Sequence, residues 1–361
     1  MKTILMRYNR NRKPITFTSM QSKDAGPPTI EDVANDSGVS TATVSRVLNR
    51  PEAVRDGLRT RVLKSVARLG YVPNSGARSL KLQRSGTVGA IFPTVDNAIF
   101  AQAIDALQQR LADSGLQLLI ATSGYDIATE MRQAMNLVTR GADALALCGM
   151  RQSPELLQFL RQRELPTVHA LTYAAEPGRI CVGFDNALAI GKAVRYLLDL
   201  GHSRMAMLAG VTKDNDRAAA RVAGVRQALA QAGLELASQH LVERQYGLAQ
   251  AREGFRRLME TTPQPTAILC GNDVLAFGAL LEAAAMGIDV PRQLSIVGFD
   301  DLEMARHIHP ALTTLHVPTQ QMWETVADRI IASLEKQTVQ AATRVDVELV
   351  VRASTGPVPA S

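Results

Sequence analysis

Residues 29–49 read TIEDVANDSGVSTATVSRVLN, and this stretch decides the fold at the N-terminal side of the chain. Thr29 precedes Asp32 by three residues, which is the pattern of a capping box and predicts that a helix begins here. Gly38 allows a tight turn, and Ser40 can cap a second helix directly after it. Two short helices joined by such a turn predict a helix-turn-helix.

The second helix, predicted over Thr41 to Leu48, has two distinct faces. Val44 and Val47 are spaced to face inward. The residues predicted to face outward near its N-terminus, where a recognition helix meets base edges in the major groove, are Thr41, Ala42, Ser45 and Arg46. Arg46 is the candidate reader of a guanine or a phosphate, because a guanidinium group pairs with both.

A third helix is predicted from about Gly57 to Leu69. Its apolar residues recur at helical spacing and predict an inward face, whereas the basic residues between them point outward. The positions predicted to face inward are Leu58, Val62, Leu63, Val66 and Leu69.

Positive charge is concentrated in the first quarter of the chain. Residues 1–27 carry +5 and residues 28–84 another +5, whereas residues 85–361 carry −4 of the total of +6. This asymmetry favours a nucleic-acid-binding head on an ordinary body. Residues 1–27 lack apolar periodicity, so we expect a disordered extension. A basic arm that contacts DNA is one alternative, and a translation start at Met20 is another.

Length and composition exclude several classes of protein. The chain has 361 residues, 46% of them apolar and 20% charged, which is typical of a soluble multidomain protein. Uncharged apolar runs such as Ala144 to Met150 are far shorter than the roughly 18 to 20 residues that cross a bilayer. The three cysteines form no C-x-x-C pair and no export signal precedes the first helix, so we expect a cytoplasmic protein.

The motifs quoted above, together with residues 70–74 (GYVPN), closely resemble the LacI family of bacterial transcription regulators. The resemblance extends through nearly the whole chain from residue 28. It implies a DNA-binding head over residues 28–73, a hinge and linker over residues 74–84, and a repressor rather than an enzyme. This resemblance and the predicted outward face of the second helix give one set of expected DNA-contacting residues. They are Thr29, Ser40, Thr41, Ala42, Thr43, Ser45, Arg46, Asn49, Tyr71, Asn74, Arg78 and Leu80.

By the same resemblance, Asn74 to Lys81 match the family's hinge helix, which becomes ordered only on the operator. Leu80 matches the leucine that the family inserts into the minor groove. A segment this short forms no stable helix by itself in water, so we expect it to be disordered until DNA and a partner hinge order it. A passive flexible linker is the alternative. Arg55 departs from the family, which usually has a serine cap there, and we expect Asp56 to cap the third helix instead.

Beyond residue 85, short apolar runs alternate with helical stretches such as Ala101 to Asp113 and Ile190 to Leu200, which is the rhythm of doubly wound α/β sheets. Residues 201–210 resemble a restart of residues 86–93, so two similar lobes are predicted. The runs predicted as strands are Val88 to Phe92, Leu116 to Ala121, Ala144 to Cys148, Ile180 to Phe184, Met205 to Ala209, Ala267 to Cys270 and Ile296 to Phe299.

This body, residues 85–361, resembles the periplasmic sugar-binding-protein fold, whose chain crosses three times between two lobes. We expect the crossings near Phe184, Val317 and Thr343. The predicted fold is α/β, with two doubly wound parallel-sheet lobes and a small all-α helix-turn-helix head. The expected division is lobe 1 over about 85–184 plus 317–343 and lobe 2 over about 185–316 plus 344–353.

Ligands of such folds bind beyond the carboxyl ends of the strands. The candidate effector-binding residues at these ends are Asn97, Phe100, Tyr125, Asp185, Arg217, Arg221, Asn272, Asp273 and Asp300. Carboxylate, amide and guanidinium groups engage vicinal hydroxyls in pairs, and an aromatic face such as Phe100 covers the apolar side of a sugar. The resemblance implies that Arg221, Asp300 and the Asn272-Asp273 pair hold the hydroxyls of the effector.

The sequence leaves the class of effector open. Lys213 and Arg217 stand near Arg221, and guanidinium forks match a carboxylate, which favours a sugar acid. Residues 182–186 (VGFDN) and the turn at Tyr125 resemble the gluconate-repressor branch of the family. A neutral sugar and a purine or nucleoside are the alternative effectors. An architectural DNA binder without an effector and a transport-type sugar-binding protein are the alternative functions.

Enzyme, cofactor and metal chemistry find little support in the motifs. The chain has no P-loop, G-x-S-x-G or H-E-x-x-H motif, and the spacing of His307, His309 and His316 matches no helical pair of metal ligands. Trp323, the only tryptophan, is predicted to pack in the core or between the lobes. A palindromic operator requires a two-fold protein, so we expect a homodimer formed through the body.

Overall fold

The computed structural model describes residues 26–72 and 84–359. The predictions for residues 1–25 and for the hinge helix, including Asn74, Arg78 and Leu80, lie outside the described residues. The chain divides into two compact units, Met1–Gln83 and Arg84–Ser361, and each is described by itself.

The head is built from short helices. They are α1 (Ile30–Ser37), α2 (Thr41–Asn49) and α3 (Asp56–Leu69), with a 3-10 turn at Pro51–Ala53. The Thr29 hydroxyl accepts from the Asp32 N–H at 3.2 Å, and the Asp32 carboxylate accepts from the Thr29 N–H at 2.7 Å. Gly38 ends α1 with φ 64°, a left-handed conformation that glycine adopts without steric cost. The predicted capping box and helix-turn-helix are confirmed.

Each helix contributes apolar side chains to the core of the head. Val33, Val44 and Val62 are fully buried there. The prediction that Leu63 faces inward is wrong, because its side chain is 43% exposed. Consecutive residues of a helix lie about 100° apart, and the buried face of α3 runs through Val62 and Ser65, which turns Leu63 toward solvent.

The expected cap of α3 is also wrong. Arg55 occupies the N-cap position and makes no side-chain cap hydrogen bond. Asp56 is already the first helical residue, and its carboxylate pairs with Arg59 at 2.8 Å. An acidic residue in the first turn still interacts favourably with the helix dipole, so the helix begins there without a capping side chain.

Lobe 1 is built on a six-stranded parallel sheet, to which the first half of the body contributes five strands and a segment near its C-terminal end contributes the sixth. Its order is β11-β5-β4-β3-β1-β2, and each neighbouring pair is parallel. The strands are β1 (Thr87–Phe92), β2 (Gln117–Thr122), β3 (Ala142–Cys148), β4 (Thr167–Ala170), β5 (Ile180–Gly183) and β11 (Ala342–Arg344).

A second six-stranded sheet forms lobe 2, in the order β12-β10-β9-β8-β6-β7. All of its pairs are parallel except β10 with β12, so an antiparallel edge strand completes an otherwise parallel sheet. The strands are β6 (Met205–Gly210), β7 (Leu241–Arg244), β8 (Ala267–Cys270), β9 (Ser295–Asp300), β10 (Thr313–His316) and β12 (Glu348–Val350). The chain passes between the two sheets after β5, after β10 and after β11.

Helices cover the faces of both sheets, as parallel strands require. They are α4 (Ala98–Asp113), α5 (Ile127–Thr139), α6 (Pro154–Gln162), α7 (Asn186–Asp199), α8 (Asp216–Gln231), α9 (Leu248–Met259), α10 (Asp273–Ala285) and α11 (Thr319–Leu334). Trp323 on α11 is 1% exposed and packs on Phe92, with ring centroids 5.0 Å apart, so its predicted place in the core is confirmed. No helix in the described residues is long and apolar enough to cross a membrane.

Candidate functional site

The predicted recognition surface of the head lies at the start of α2. The Ser40 hydroxyl accepts from the Thr43 N–H at 3.2 Å, so Ser40 caps the helix and orients its first turn. Thr41, Ala42 and Arg46 are exposed on this turn and the next. The surface therefore carries a cation and small polar groups on one exposed face, as reading of a major groove requires.

The other candidates of the head are placed differently. Thr29 is exposed and engaged in the capping box of α1, whereas Thr43 and Ser45 are half-buried. Tyr71 is also half-buried and packs against the apolar core of the head.

In the body, Arg221 is a buried polar group of the cleft between the lobes. It projects from α8 in lobe 2, and its Nε donates to Asn186 Oδ1 at 2.9 Å at the start of α7. Its Nη1 donates to the carbonyl oxygen of Gly271 at 2.5 Å, and the guanidinium carbon lies 3.6 Å from the ring centroid of Phe299. A buried guanidinium stacked on an aromatic face in this way has one orientation.

Asp300 ends β9 beside this guanidinium. The residue is 7% exposed and adopts φ 117°, an unfavourable backbone conformation for an aspartate. Burial raises the pKa of its carboxyl to about 7, although Arg221 works in the opposite direction. Strain and a raised pKa at a cleft are typical of functional positions, because both cost stability that packing alone would avoid.

Aromatic side chains from the two lobes meet in the cleft. Tyr125 follows β2 and Tyr246 follows β7, and their ring centroids are 5.8 Å apart. Phe184 and Phe299 stack at the same separation of 5.8 Å. Burial raises the pKa of Tyr246, so its hydroxyl stays protonated and can donate a hydrogen bond at neutral pH.

Arg217 joins the lobes directly. Its Nη1 donates to the carbonyl oxygen of Cys148, the last residue of β3, at 3.1 Å and to the Asp216 carboxylate at 2.8 Å. The cavity beside it holds only about 20 Å³, which is room for one water. The lobes therefore meet at Arg217, and this part of the cleft has no room for a sugar-sized ligand unless the lobes separate. The cavity is lined by Ile91, Pro93, Ser123, Tyr125, Asp126, Ile127, Glu130, Cys148, Arg151, Asp214, Asp216 and Arg217.

Several predicted effector residues serve the fold at the edges of this cleft. The side chains of Asn97, Asp185 and Asn272 each cap the helix that follows them. Phe100 is 4% exposed and packs edge-on against Phe92 in the core.

Asp273 is fully buried beneath the cleft. Its carboxyl group accepts from the Leu302 N–H at 2.7 Å and from the Thr314 hydroxyl at 2.6 Å, so both oxygens are engaged within lobe 2.

Two comparisons by sequence bear on this geometry. The family described as "Bacterial regulatory proteins, lacI family" matches residues 29–74, and the "Periplasmic binding protein-like domain" matches residues 194–355. The HTH-type transcriptional repressor CytR of Escherichia coli (strain K12) is 32% identical over 333 residues, which cover 92% of this chain and 97% of that protein. The chain belongs to the LacI family.

Solved structures agree with that assignment. A LacI-family transcriptional regulator from Silicibacter pomeroyi has a TM-score of 0.82 and 26% identity, covering 91% of this chain and 99% of that chain. The regulator GntR from Chromobacterium violaceum has a TM-score of 0.71 and 27% identity, covering 74% of this chain and 99% of that chain. The lac repressor dimer bound to operator shares the fold, with a TM-score of 0.81 at 24% identity, covering 92% of this chain and all of that chain.

As a LacI-family member the protein is a DNA-binding transcription regulator and not an enzyme. The alternative of a transport-type sugar-binding protein is wrong, because the helix-turn-helix family matches the head. Sequence reasoning missed Asp216 and Tyr246 in the cleft of this LacI-family protein. Tyr246 follows β7, a four-residue half-buried strand without a strong apolar run, so its place at a strand end left no signal.

Proposed function

We propose that the protein is a repressor that binds a palindromic operator through the head and is controlled by a small carbohydrate-type effector in the interlobe cleft. The proposed effector is a sugar acid such as gluconate. The observation that carries the effector proposal is Arg221, a buried guanidinium held by Asn186 and Gly271 beside the Asp300 carboxyl. A guanidinium and a carboxyl side by side offer the paired donors and acceptors that a polyol carboxylate needs.

A purine or nucleoside effector is the second candidate. Tyr125 and Tyr246 approach the cleft from opposite lobes with a ring separation of 5.8 Å, and a planar heterocycle could stack on either ring when the lobes open. A neutral sugar would use Arg221 and Asp300 without the aromatic pair. Thermal unfolding with gluconate, galactose and adenosine ranks the three classes, because the bound ligand stabilises the folded state.

The decisive experiment is fluorescence anisotropy on a palindrome from the protein's own upstream region, at fixed salt, with and without gluconate. We expect tight binding that gluconate changes. Arg46→Ala should lose about 5- to 150-fold in operator affinity while it keeps the thermal response to gluconate. Arg221→Lys should bind the operator and lose that response, because lysine cannot make the contacts to Asn186 and Gly271 together. If neither variant separates the two activities, the assignment of the two sites is wrong.

We further propose that the working form is a homodimer in the cytoplasm, where operator DNA lies. The edge strand β2 supports a body-mediated dimer, because Leu119 is 36% and Ile120 41% exposed there. Unpaired apolar edge strands need a cover. Light scattering should give the mass of two chains for the wild type and of one chain for Ile120→Lys. Val351→Lys, a matched change at an exposed valine in lobe 2, should remain dimeric.

A further inference from the structure

One carboxylate of lobe 2 is held by donors from lobe 1. Asp216 begins α8, and its Oδ2 accepts from the backbone N–H of Met150 at 2.8 Å and from the Thr172 hydroxyl at 3.2 Å. Met150 follows β3 and Thr172 follows β4, so both donors stand at the carboxyl edge of the lobe 1 sheet. The Asp216 Oδ1 accepts from Arg217 Nη1 at 2.8 Å. A backbone N–H, a hydroxyl and a guanidinium are donors with which proteins bind a carboxylate ligand.

The guanidinium of this group is itself fixed across the cleft. Arg217 is 8% exposed, and the same Nη1 donates to the carbonyl oxygen of Cys148 in lobe 1. Burial works to lower the pKa of Arg217, but Asp216 and other neighbours raise it by more, so the group keeps its charge. Breaking a buried ion pair by removing one partner is costly, because the other charge is left without compensation.

The backbone of lobe 1 is shaped to admit this pair. Gly149 adopts φ 85°, a left-handed conformation that side chains disfavour. A Cβ at this position would overlap both Arg217 Nη1 and Asp216 Oδ1. The close approach of the two lobes at this point therefore requires a glycine.

We propose that the Met150 N–H, the Thr172 hydroxyl and Arg217 form a carboxylate-binding site, that Asp216 fills this site while the lobes are closed, and that a carboxylate ligand competes with Asp216 for it. A ligand that takes these donors replaces hydrogen bonds between the lobes by hydrogen bonds to itself. Ligand binding and lobe separation are then coupled by the same donors. The identification of that ligand with the effector rests on the proposed function, whereas the site itself does not.

The test is chemical rescue of Asp216→Ala in the full-length protein, with sodium acetate as the probe. Acetate should raise the melting temperature of this variant by about 3–5 °C at ten times its Kd, because it refills the vacated site. The wild type should respond much less, since its own carboxylate holds the donors. Sodium chloride at equal ionic strength controls for screening. Asp289→Ala is the matched variant, because Asp289 lies in a surface pair with Arg292, and it should show no acetate response.

Asp216→Asn keeps the size of the side chain and gives a second test should the alanine variant fail to fold. The asparagine NH2 group is a donor, and in either orientation it would face one of the donors that Asp216 now accepts from. We therefore expect small-angle scattering to show separated lobes. A scattering curve identical to that of the wild type would overturn the proposal. An acetate response in Asp216→Ala no larger than in Asp289→Ala would also overturn it, even if gluconate shifts the wild type. Acetate rescue without any gluconate response would support the site and refute the sugar-acid effector.

Discussion

Asp273 provides the most quantitative prediction, because its carboxyl is fully buried and both of its oxygens have partners. Burial, followed by the repulsion of Asp300, raises its pKa from 3.8 to about 8, against the opposing effect of its two hydrogen bonds. Asp273→Ala removes the partner of the buried Leu302 N–H and that of the Thr314 hydroxyl. The unsatisfied N–H costs about 1–3 kcal/mol and the other bond about 1 kcal/mol, so we expect a loss of roughly 2–4 kcal/mol.

Asp273→Asn should behave quite differently. Its amide oxygen can accept from the Leu302 N–H, and its NH2 can donate to the Thr314 oxygen, because a hydroxyl group can reverse its role. A carboxyl with a raised pKa stabilises the fold below its unfolded pKa of about 4 and loses that contribution as pH rises toward 8. The asparagine side chain does not titrate, so the variant does not lose stability in this way. Between about pH 4 and pH 8 its free energy of unfolding relative to the wild type should rise by up to about 1.4 kcal/mol per pH unit.

The assay for both variants is urea unfolding followed by far-UV circular dichroism between pH 5 and pH 8. The alanine variant should be the less stable of the two at every pH. If Asp273→Asn instead loses as much stability as Asp273→Ala, and the loss grows with pH, then the ionised carboxylate is required and our account of Asp273 as a neutral structural group is wrong.

Three further predictions follow from other parts of the molecule. The Glu282 carboxylate accepts from Arg252 Nε, and this hydrogen bond lowers the pKa of Glu282. The wild type should therefore lose stability as pH falls below about 4.5, because protonation removes the charged acceptor. In an acid titration followed by circular dichroism, Glu282→Gln should not show that loss. Gly149→Ala should give an increased radius of gyration by small-angle scattering, because its Cβ has no space in the closed cleft; an unchanged radius would refute this. Val62→Ala should destabilise the head by about 2 kcal/mol and weaken operator binding, whereas Leu63→Ala, at an exposed position next to it, should change neither.

Much of the fold could be predicted from short stretches of sequence, because the signals are local. The capping box at Thr29 and the turn at Gly38 place the helices of the head within one or two residues. Most buried strands of the two sheets, such as β8 at Ala267–Cys270, stand out as apolar runs. Five strands in the described part of the chain were not predicted. Of these, β7, β11 and β12 are short and partly exposed, whereas β4 and β10 are mostly buried but have only four residues each, including threonine and histidine.

The residues of the candidate site also differ in how well the sequence predicts them. Arg221 and Asp300 could be chosen by their places in recognisable motifs, and both lie in the cleft. The sequence could not show which of Asp185 and Asn186 contributes to the site, because the direction of the helix decides where each side chain points. Asp185 caps the helix, and Asn186 contacts Arg221.

The sequence by itself determined that this chain has a helix-turn-helix head, a body of two α/β lobes and no enzyme motif, because capping, periodicity and motif spacing act over a few residues. Only the tertiary structure decided that Asp216 of lobe 2 sits among donors of lobe 1, 66 residues from Met150 along the chain. A contact of that kind depends on how two lobes approach each other. The spacing of residues along the chain does not predict that approach, because lobe closure depends on packing and hydrogen bonds summed over the whole interface.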